Sequence, residues 1–477
     1  MTLLVLLASV GMARDLSLDE ALATALTGPA ARQAGLRLDQ ARAAVTTADG
    51  AWDPVLSASA DASTSRSRGF LAGTPTSSDA SALGGSVGLS QALPTGTTVA
   101  ATTSLRRDVM VSSSTLTGDQ TQRNWTGAAK LSLTQDLLAP LRRSAARTSE
   151  LAAEEALVQA SLTERAAASD AIGQSARAWW SWWAANDQAE LAQLAEQDAI
   201  ELEERTRTWV EAGRLARLEL DRVTAERLAA QRDRLAADAE LRATRDDLLV
   251  LLGEPLGQDL QPVGSGRAWT LDDADEDALV ADVLARNPDL LLARAQIDAQ
   301  RRVLADARSS RLPTLDLTAA VGVGSLSEEA SEAVTDLWGE DGLPEASVGL
   351  GLSVPIGGRA ARGRVQSGEA ALSALEVGEQ AAMARAEADA RAAVDAVQTA
   401  TAGLQLAEAR LEVARSTEAG ERLRVEEGAA RLDELIDATR DRISAEADVR
   451  TAEVALASAE LDLAALRDRV WEDPDVG

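Results

Sequence analysis

Carboxylates and guanidinium groups are the reactive side chains that this sequence supplies in number. Its 477 residues include 76 Asp and Glu and 47 Lys and Arg, but neither histidine nor cysteine. That composition excludes His/Cys zinc sites, thiol or Ser-His-Asp catalysis, haem and iron–sulfur ligation, and disulfides. No carboxylate stands alone in an apolar segment, the setting that acid/base catalysis favours. We therefore expect no enzyme, no catalytic residue, no cofactor and no metal.

Two glycine pairs, Gly322-Val-Gly324 and Gly349-Leu-Gly351, invite comparison with phosphate-binding loops. No Gly-Lys-Ser/Thr follows either pair, and both lie inside strand-like segments rather than before a helix. Glycine there relieves crowding in a curved sheet. The formal charge of −29 also argues against a nucleic-acid partner, because so acidic a chain repels phosphates.

Four of the ten tryptophans, Trp179, Trp180, Trp182 and Trp183, lie together in a chain with one Phe and no Tyr. On a helix they cover most of the circumference, at 100° per residue. At least one must then face neighbouring helices, and another must face a second layer or a lumen. We expect packing within or between protomers, with a ligand-stacking site as the alternative.

Prolines divide the chain into helical and strand-like parts. None lies between Pro140 and Pro255 or between Pro355 and Pro474, and both gaps are rich in strong helix formers. Each gap has one candidate break, at Gly213 or Gly428, where a long helix can reverse because glycine accepts a positive φ. These patterns predict antiparallel helical hairpins over 143–252 and 358–470.

The segments within 52–138 and 312–357 are rich in Ser, Thr and Gly and alternate apolar with polar residues. The pattern predicts strands with one apolar and one polar face, long enough to cross a membrane when tilted. We predict loops over 66–82 and over the acidic stretch 325–344. No apolar run beyond the N-terminus approaches the length of a transmembrane helix.

The same order of elements occurs twice. Leu16-Ser-Leu-Asp-Glu-Ala matches Trp269-Thr-Leu-Asp-Asp-Ala, and the two tip glycines are 215 residues apart. A short helix follows each opening, at about 17–50 and 277–310. The predicted organisation is a signal peptide (1–13), a first repeat (14–252), a linker (253–268) and a second repeat (269–477). The apolar residues 1–13 end in small residues but lack a basic start.

The order and spacing of these pieces resemble the TolC-type outer-membrane efflux protein family over about 15–470. The pieces are the two repeat openings, Ala285-Arg-Asn-Pro-Asp-Leu-Leu-Leu-Ala-Arg-Ala-Gln, Leu131-Ser-Leu-Thr-Gln-Asp-Leu-Leu, Ser347-Val-Gly-Leu-Gly-Leu-Ser-Val-Pro-Ile-Gly-Gly and Ala176-Arg-Ala-Trp-Trp. The resemblance implies a mainly α fold with a transmembrane β-barrel. It implies two repeats of short helix, strand pair and long helical hairpin, and a homotrimer with four strands per protomer and a periplasmic helical tunnel.

The resemblance also implies site residues and partners. Counting from Gly428, the acidic constriction of the family falls on Glu434 and Asp437, which lie on one helical face and would form two anionic rings in a trimer. The alternative is an ordinary solvated acidic face. The tips, represented by Gly213, Arg214, Gly428 and Ala429, would dock a periplasmic adaptor protein, since exposed tips between rigid elements carry binding. The adaptor would link the channel to an inner-membrane pump of the RND or ABC type.

Two features depart from the family. Without Tyr, the aromatic girdles that face lipid at both membrane surfaces are reduced to the candidates Trp52, Trp125 and Trp338. The first half also has an extra strand-like segment, 85–106, with a turn at Pro94-Thr-Gly96. It is either a non-spanning hairpin or part of one long strand pair.

The sequence therefore predicts a trimeric channel in the bacterial outer membrane that extends into the periplasm. It would be the passive exit duct of a tripartite efflux or type I secretion system, gated at its helix tips. The alternative is a periplasmic coiled-coil scaffold that does not insert, which leaves the alternating strands and the repeat unexplained.

Overall fold

The computed structural model describes residues 14–71, 74–114, 118–139, 144–264, 276–427 and 431–470. The predicted signal peptide and the repeat opening at Trp269 lie outside the described residues. In chain order the elements are β1 (Arg14–Ser17), α1 (Leu18–Ala25), α2 (Pro29–Asp49), β2 (Val55–Leu71), β3 (Thr74–Leu93), β4 (Thr97–Ser114), β5 (Gly118–Asp136), α3 (Ala145–Glu211), α4 (Arg217–Leu252), β6 (Leu260–Val263), α5 (Glu276–Arg286), α6 (Pro288–Ser309), β7 (Thr314–Ser327), α7 (Ala330–Asp336), β8 (Leu343–Ser353), α8 (Arg359–Glu426) and α9 (Leu432–Leu466).

The chain forms two compact units. The helical unit contains the residues up to 39, 159–295 and those from 376 onward. The sheet unit contains 40–158 and 296–375. The predicted class, mainly helical with two long hairpins and an antiparallel sheet, is confirmed. Not one of the helices described here has a stretch both long and apolar enough to cross a bilayer.

Each predicted short helix is in fact two helices. The breaks precede Pro29 and Pro288, which begin α2 and α6. Proline has no N–H to donate and clashes with the preceding turn, so it fits the first position of a helix but not its interior. Asn287 caps the second break, and its Oδ1 accepts from the backbone N–H groups of Asp289 (3.1 Å) and Leu290 (3.2 Å).

The tryptophan cluster lies in the core of the helical unit. Trp179, Trp180 and Trp182 are fully buried, and Trp183 packs against them with its ring stacked 5.9 Å from that of Trp179. The indole N–H of Trp179 donates to the backbone carbonyl of Leu16 (3.2 Å), which fixes β1 against α3. The predicted packing role is therefore observed.

The sheet unit holds one antiparallel sheet with the strand order β2-β3-β4-β5-β7-β8. The prediction of one strand pair per half is wrong for the first half, which contributes four strands. The predicted turn at Pro94-Thr-Gly96 joins β3 to β4, with Gly96 at φ +78°. Segment 85–106 is thus the part of the β3–β4 hairpin that lies nearest its turn.

The predicted loop over 66–82 is also wrong. Its described residues, 66–71 and 74–82, belong to β2 and β3, whose ladder continues out to the pair Leu71 and Thr74. Across this ladder the guanidinium group of Arg66 donates to both carboxylate oxygens of Asp79, at 2.6 and 2.7 Å. Serine-rich composition favours a loop, but the ladder between β2 and β3 pairs the backbones of these small residues and thereby holds them in strands.

Successive side chains alternate between the two faces of the sheet, and the register carries that alternation across all six strands. One face, which we call the apolar face, exposes Leu56, Leu83, Val87, Leu89, Leu131, Leu133, Val321, Val348, Leu350 and Leu352. The polar face carries Ser57, Ser59, Asp61, Ser86, Arg106, Asp108, Asn124, Lys130, Ser132, Thr134 and Glu345. The sheet is therefore amphipathic over its whole width.

Candidate functional site: the tips of the helical hairpins

The first tip lies between α3 and α4, where the sequence placed it. Gly213 has φ +72°, a left-handed conformation that glycine adopts without strain. Its N–H donates to the carbonyl of Val210 (3.0 Å), and that of Arg214 donates to the carbonyl of Trp209 (2.8 Å), so the last carbonyls of α3 are satisfied. Gly213 and Arg214 are both exposed. The tip thus presents a fixed, accessible surface.

The second tip lies between α8 and α9. Gly428 and Ala429, the predicted docking residues there, lie outside the described residues. Both predicted constriction residues are described, and both are exposed near the start of α9. The side chain of Glu434 is 47% accessible and that of Asp437 is 73% accessible. Solvent therefore reaches both carboxylates.

Each of these carboxylates has an arginine nearby that is bound more closely to another acid. Arg424 lies 4.0 Å from Glu434 but donates to Glu421 at 2.6 Å. Arg440 lies 3.5 Å from Asp437 but binds Glu226 with two nitrogens, its Nε at 3.0 Å. This group holds four carboxylates against two guanidinium groups. The second tip therefore keeps a net negative charge.

The equivalent positions on the first hairpin are neutral as a pair. Glu219 and Arg222 take the places of Glu434 and Asp437, and their side chains form an ion pair at 3.5 Å on α4. The difference arises because the first hairpin has Arg222 where the second has Asp437. At these two equivalent positions, the second hairpin has two carboxylates and the first has one.

Arg440 also joins the two hairpins, because Glu226 belongs to α4 and Arg440 to α9. The pair is partly exposed, with 57% of the arginine and 23% of the glutamate side chain accessible. Arg442 and Arg450 add further ion pairs from α9 to α3, with Asp198 and Asp187. We call the contact between Arg440 and Glu226 the latch, because it is the link nearest the tips among these three.

A cavity of about 450 Å³ lies between the two hairpins beside the latch. Its apolar lining includes Leu202, Trp209, Val425, Leu435, Ile436 and Ile443. Charged side chains, among them Glu226 and Arg440, complete its wall. The hairpins are therefore not packed solidly against each other here, which leaves room for one to move against the other.

A buried glutamate holds each hairpin together behind its tip. Glu203 of α3 accepts from Thr224 Oγ1 (3.0 Å) and Arg227 Nε (2.6 Å) of α4, and Arg207 lies at 3.2 Å. In the second hairpin Glu418 is bound in the same way by Thr439 (3.3 Å), Arg442 (2.8 Å) and Arg422 (3.3 Å), respectively. All members of the second set follow those of the first by 215 residues. This repeated cluster shows that the two arms of each hairpin pack in the same register.

Our reading of the sequence missed this cluster, although the signal was present. Each half has a Glu ten residues before the tip glycine and a Thr and an Arg 11 and 14 residues after it. Aligning the halves on Gly213 and Gly428 would have exposed the match. The latch left no such signal, because its two residues are 214 positions apart and meet only when the hairpins pack.

Acid should loosen the first tip through Glu203. Burial raises the pKa of this carboxyl, but the hydrogen bonds from Thr224 and Arg227 and the charges of Arg227 and Arg207 lower it more, so it lies below the ordinary 4.5. The stabilisation is thus complete above the ordinary pKa and is lost as pH falls through the folded one. Hydrogen exchange, corrected for its intrinsic pH dependence, should show about a tenfold loss of protection around Glu203 and Thr224, the size expected for hydrogen bonds to a charged group.

The Glu203→Gln variant isolates this effect from other titrating acids. It should lack the protection already at neutral pH and show little further change in acid. Glu201→Gln removes only an exposed pair with Arg205 on the same helix, so its profile should match that of the unmodified protein. An unchanged pH profile in Glu203→Gln would refute the assignment.

Comparison with known proteins connects this geometry to a family. Residues 279–467 match the family model described as outer membrane efflux protein. No curated protein sequence matches that of the chain. The fold is similar to that of solved channels at low sequence identity. CusC, from a study of transmembrane channel formation, has a TM-score of 0.69 and 17% identity over 94% of this chain and 91% of its own.

The CmeC outer membrane channel of Campylobacter jejuni has a TM-score of 0.69 and 15% identity, over 95% of this chain and 85% of its own. The MtrE outer membrane channel of Neisseria gonorrhoeae, solved in its open state, has a TM-score of 0.66 and 19% identity, over 94% and 88%. The second half of the chain thus matches the outer membrane efflux protein family, and nearly the whole chain shares the fold of solved outer membrane channels, as the resemblance to the TolC type predicted.

Proposed function

We propose that three copies of this chain form the passive exit duct of a tripartite efflux or type I secretion system, opened at the helix tips when a periplasmic adaptor protein docks there. The observation that carries the proposal is the amphipathic sheet. An apolar face exposed to water over six strands would be costly, whereas lipid accepts it. The opposite face, with its hydroxyl and charged groups, suits an aqueous path.

The size of the apolar band supports a membrane setting. On β3 it runs from Leu83 to Leu93 and ends before Asp79, so it covers the nine to eleven residues or so that a tilted transmembrane strand requires. Within the described sheet, β2 and β8 pair on one side only. Unpaired strand edges are not tolerated in lipid, so copies must join edge to edge. Three copies would contribute eighteen strands, against the twelve that the resemblance implied.

The tips supply the regulation in this proposal. The adaptor docks on the surface represented by Gly213, Arg214, Gly428 and Ala429, and docking favours a packing of the hairpins in which the latch is broken. Glu434 and Asp437 face the narrowed path and attract cations. Energy for transport comes from an inner-membrane pump of the RND or ABC type, as the family resemblance implies.

Single-channel recording tests the proposal directly. Purified protein added to a planar bilayer with a salt gradient should insert as a trimer and give a small conductance that prefers cations. A heat-modifiable trimer in the membrane fraction should accompany it. Protein that is folded and helical but never inserts would favour the periplasmic coiled-coil scaffold instead.

A further inference from the structure

The connection from β7 to β8 contains the helix α7, which folds back onto the sheet. Ala333 and Leu337 are its buried side chains, and the hydroxyl of Ser325 on β7 donates to the carbonyl of Ala333. The prediction of a loop over 325–344 is therefore wrong in part, because this stretch contains the helix α7 as well as the ends of β7 and β8. The connection lies at the end of β7 away from α6, on the side of the sheet where β2 and β4 end and β3 and β5 begin.

The register shows which face α7 covers. Ser325 and Val323 of β7 and Gly127 of β5 all belong to the apolar face. A Cβ added to Gly127 would lie 2.8 Å from the carbonyl oxygen of Ala333 and 3.2 Å from Leu337 Cδ1. A Cβ on Gly342 would lie 2.8 Å from Val323 Cγ1. Two glycines therefore permit the close approach of this connection to the apolar face.

The outward side of α7 is apolar as well. Val334 is 45% exposed and Trp338 is 81% exposed, and the two are four residues apart, so they share one side of the turn. Glu332 and Asp336 lie on the opposite flank, where Glu332 accepts from the hydroxyl of Ser327 (2.7 Å). The segment therefore separates an apolar edge from an acidic edge.

A second tryptophan lies at the same level of the sheet. Trp125 on β5 pairs directly with Ser327 at the end of β7, and the guanidinium carbon of Arg107 lies 5.8 Å from its ring centroid. Arg107 lies between Leu105 and Val109 on the apolar face. It is the first charged residue on that face of β4, counted from the start of the strand. Tryptophan and arginine concentrate where hydrocarbon meets headgroups.

We propose that α7 is an interfacial anchor, which inserts Val334 and Trp338 between the lipid headgroups and the hydrocarbon of the outer leaflet. The inference rests on the proposed membrane contact of the apolar face. The occupant follows from continuity, because α7 covers that same face and extends it outward with the side chain of Trp338. The acidic flank with Glu332 stays in water. The anchor sets how deeply this edge of the sheet sits in the leaflet.

Spin labels can measure this depth because the chain has no native cysteine. Three single-cysteine variants, Val334→Cys, Trp338→Cys and the flank control Glu332→Cys, replace exposed side chains and leave the core intact. A fourth, Leu350→Cys, reports on the apolar face itself. The full-length protein is labelled and reconstituted in vesicles of phosphatidylcholine and phosphatidylglycerol. Collision rates with oxygen, which enters lipid, and with a water-soluble nickel chelate are then compared.

The labels at 334 and 338 should collide more often with oxygen than with nickel, and the label at 332 should show the reverse order. If 334 and 338 follow 332 while 350 reports lipid, α7 is not an anchor and the proposed function stands. If all four report water, the membrane contact itself fails. Labels at 334 and 338 shielded from both probes would mean a protein cover, which also overturns the anchor.

Discussion

Replacing Glu434 and Asp437 with alanine together is expected to lower the cation preference of the channel about tenfold and to raise its conductance. In the proposed trimer the change removes six carboxylates from the proposed constriction. Each carboxylate attracts a passing cation through water and counterions, which reduces its interaction energy to well under 1 kcal/mol. A cation that passes both rings interacts with all six carboxylates. A tenfold change in selectivity corresponds to about 1.4 kcal/mol, which such a set can supply.

The contacts at the tip explain why these carboxylates keep their charge effect. Arg424 and Arg440 approach them, but each holds a closer carboxylate, Glu421 at 2.6 Å and Glu226 at 3.0 Å. Neutralisation of Glu434 and Asp437 is therefore incomplete. The acidic pair differs in this respect from a solvated face covered by i,i+4 ion pairs.

The first hairpin offers the matched control. Changing Glu219 and Arg222 to alanine removes one charge of each sign at the equivalent positions, so the net charge of that tip stays the same. Reversal potentials in a salt gradient should shift in the acidic variant and not in this one. Equal shifts, or none, would leave the fold assignment in place and discard the anionic rings.

The sequence predicted the parts of this fold that depend on local pattern. Proline-free stretches marked the hairpins, and Gly213 marked a reversal because its positive φ suits glycine. The alternation at Leu315–Val323 marked the faces of the sheet. The prediction failed where it relied on amino-acid composition alone, without an alternating pattern of side chains. The Ser- and Gly-rich segment 66–82 looks like loop, and only its pairing in a long hairpin makes it strand.

The same distinction between local and long-range contacts applies to the candidate site. Glu434 and Asp437 could be proposed from the family resemblance, because they lie a fixed distance from a tip glycine on one helix. The latch could not, since it requires the rotation of α9 against α4, which depends on packing along the whole length of both hairpins. The arginines that moderate the carboxylates, Arg424 and Arg440, were missed for that reason. Contacts within one helix are local, whereas a gate is built from contacts between helices.

Neutralising the latch is expected to open the channel in the absence of an adaptor. A partly exposed ion pair contributes only about 0.2–1 kcal/mol. In the proposed trimer, three copies that open together multiply this to about 0.6–3 kcal/mol, or roughly a 3- to 150-fold rise in the open population. Glu226→Gln and Arg440→Gln should each increase the time spent in a high-conductance state. Asp233→Asn is the control. Asp233 lies on α4, as Glu226 does, but it pairs with its neighbour Arg232, so this variant should leave the time in that state unchanged.

Selectivity distinguishes the latch from a general loosening of the tip. Glu226→Gln releases Arg440 toward Asp437, which lies 3.5 Å away, so the open channel should prefer cations less. Arg440→Gln removes that guanidinium group and should raise the preference. Because both variants break one contact, the double variant should open no further than either single one. Additive opening, or a shift of selectivity in the same direction for both, would show that Arg440 and Glu226 act separately and that the closed state is held elsewhere.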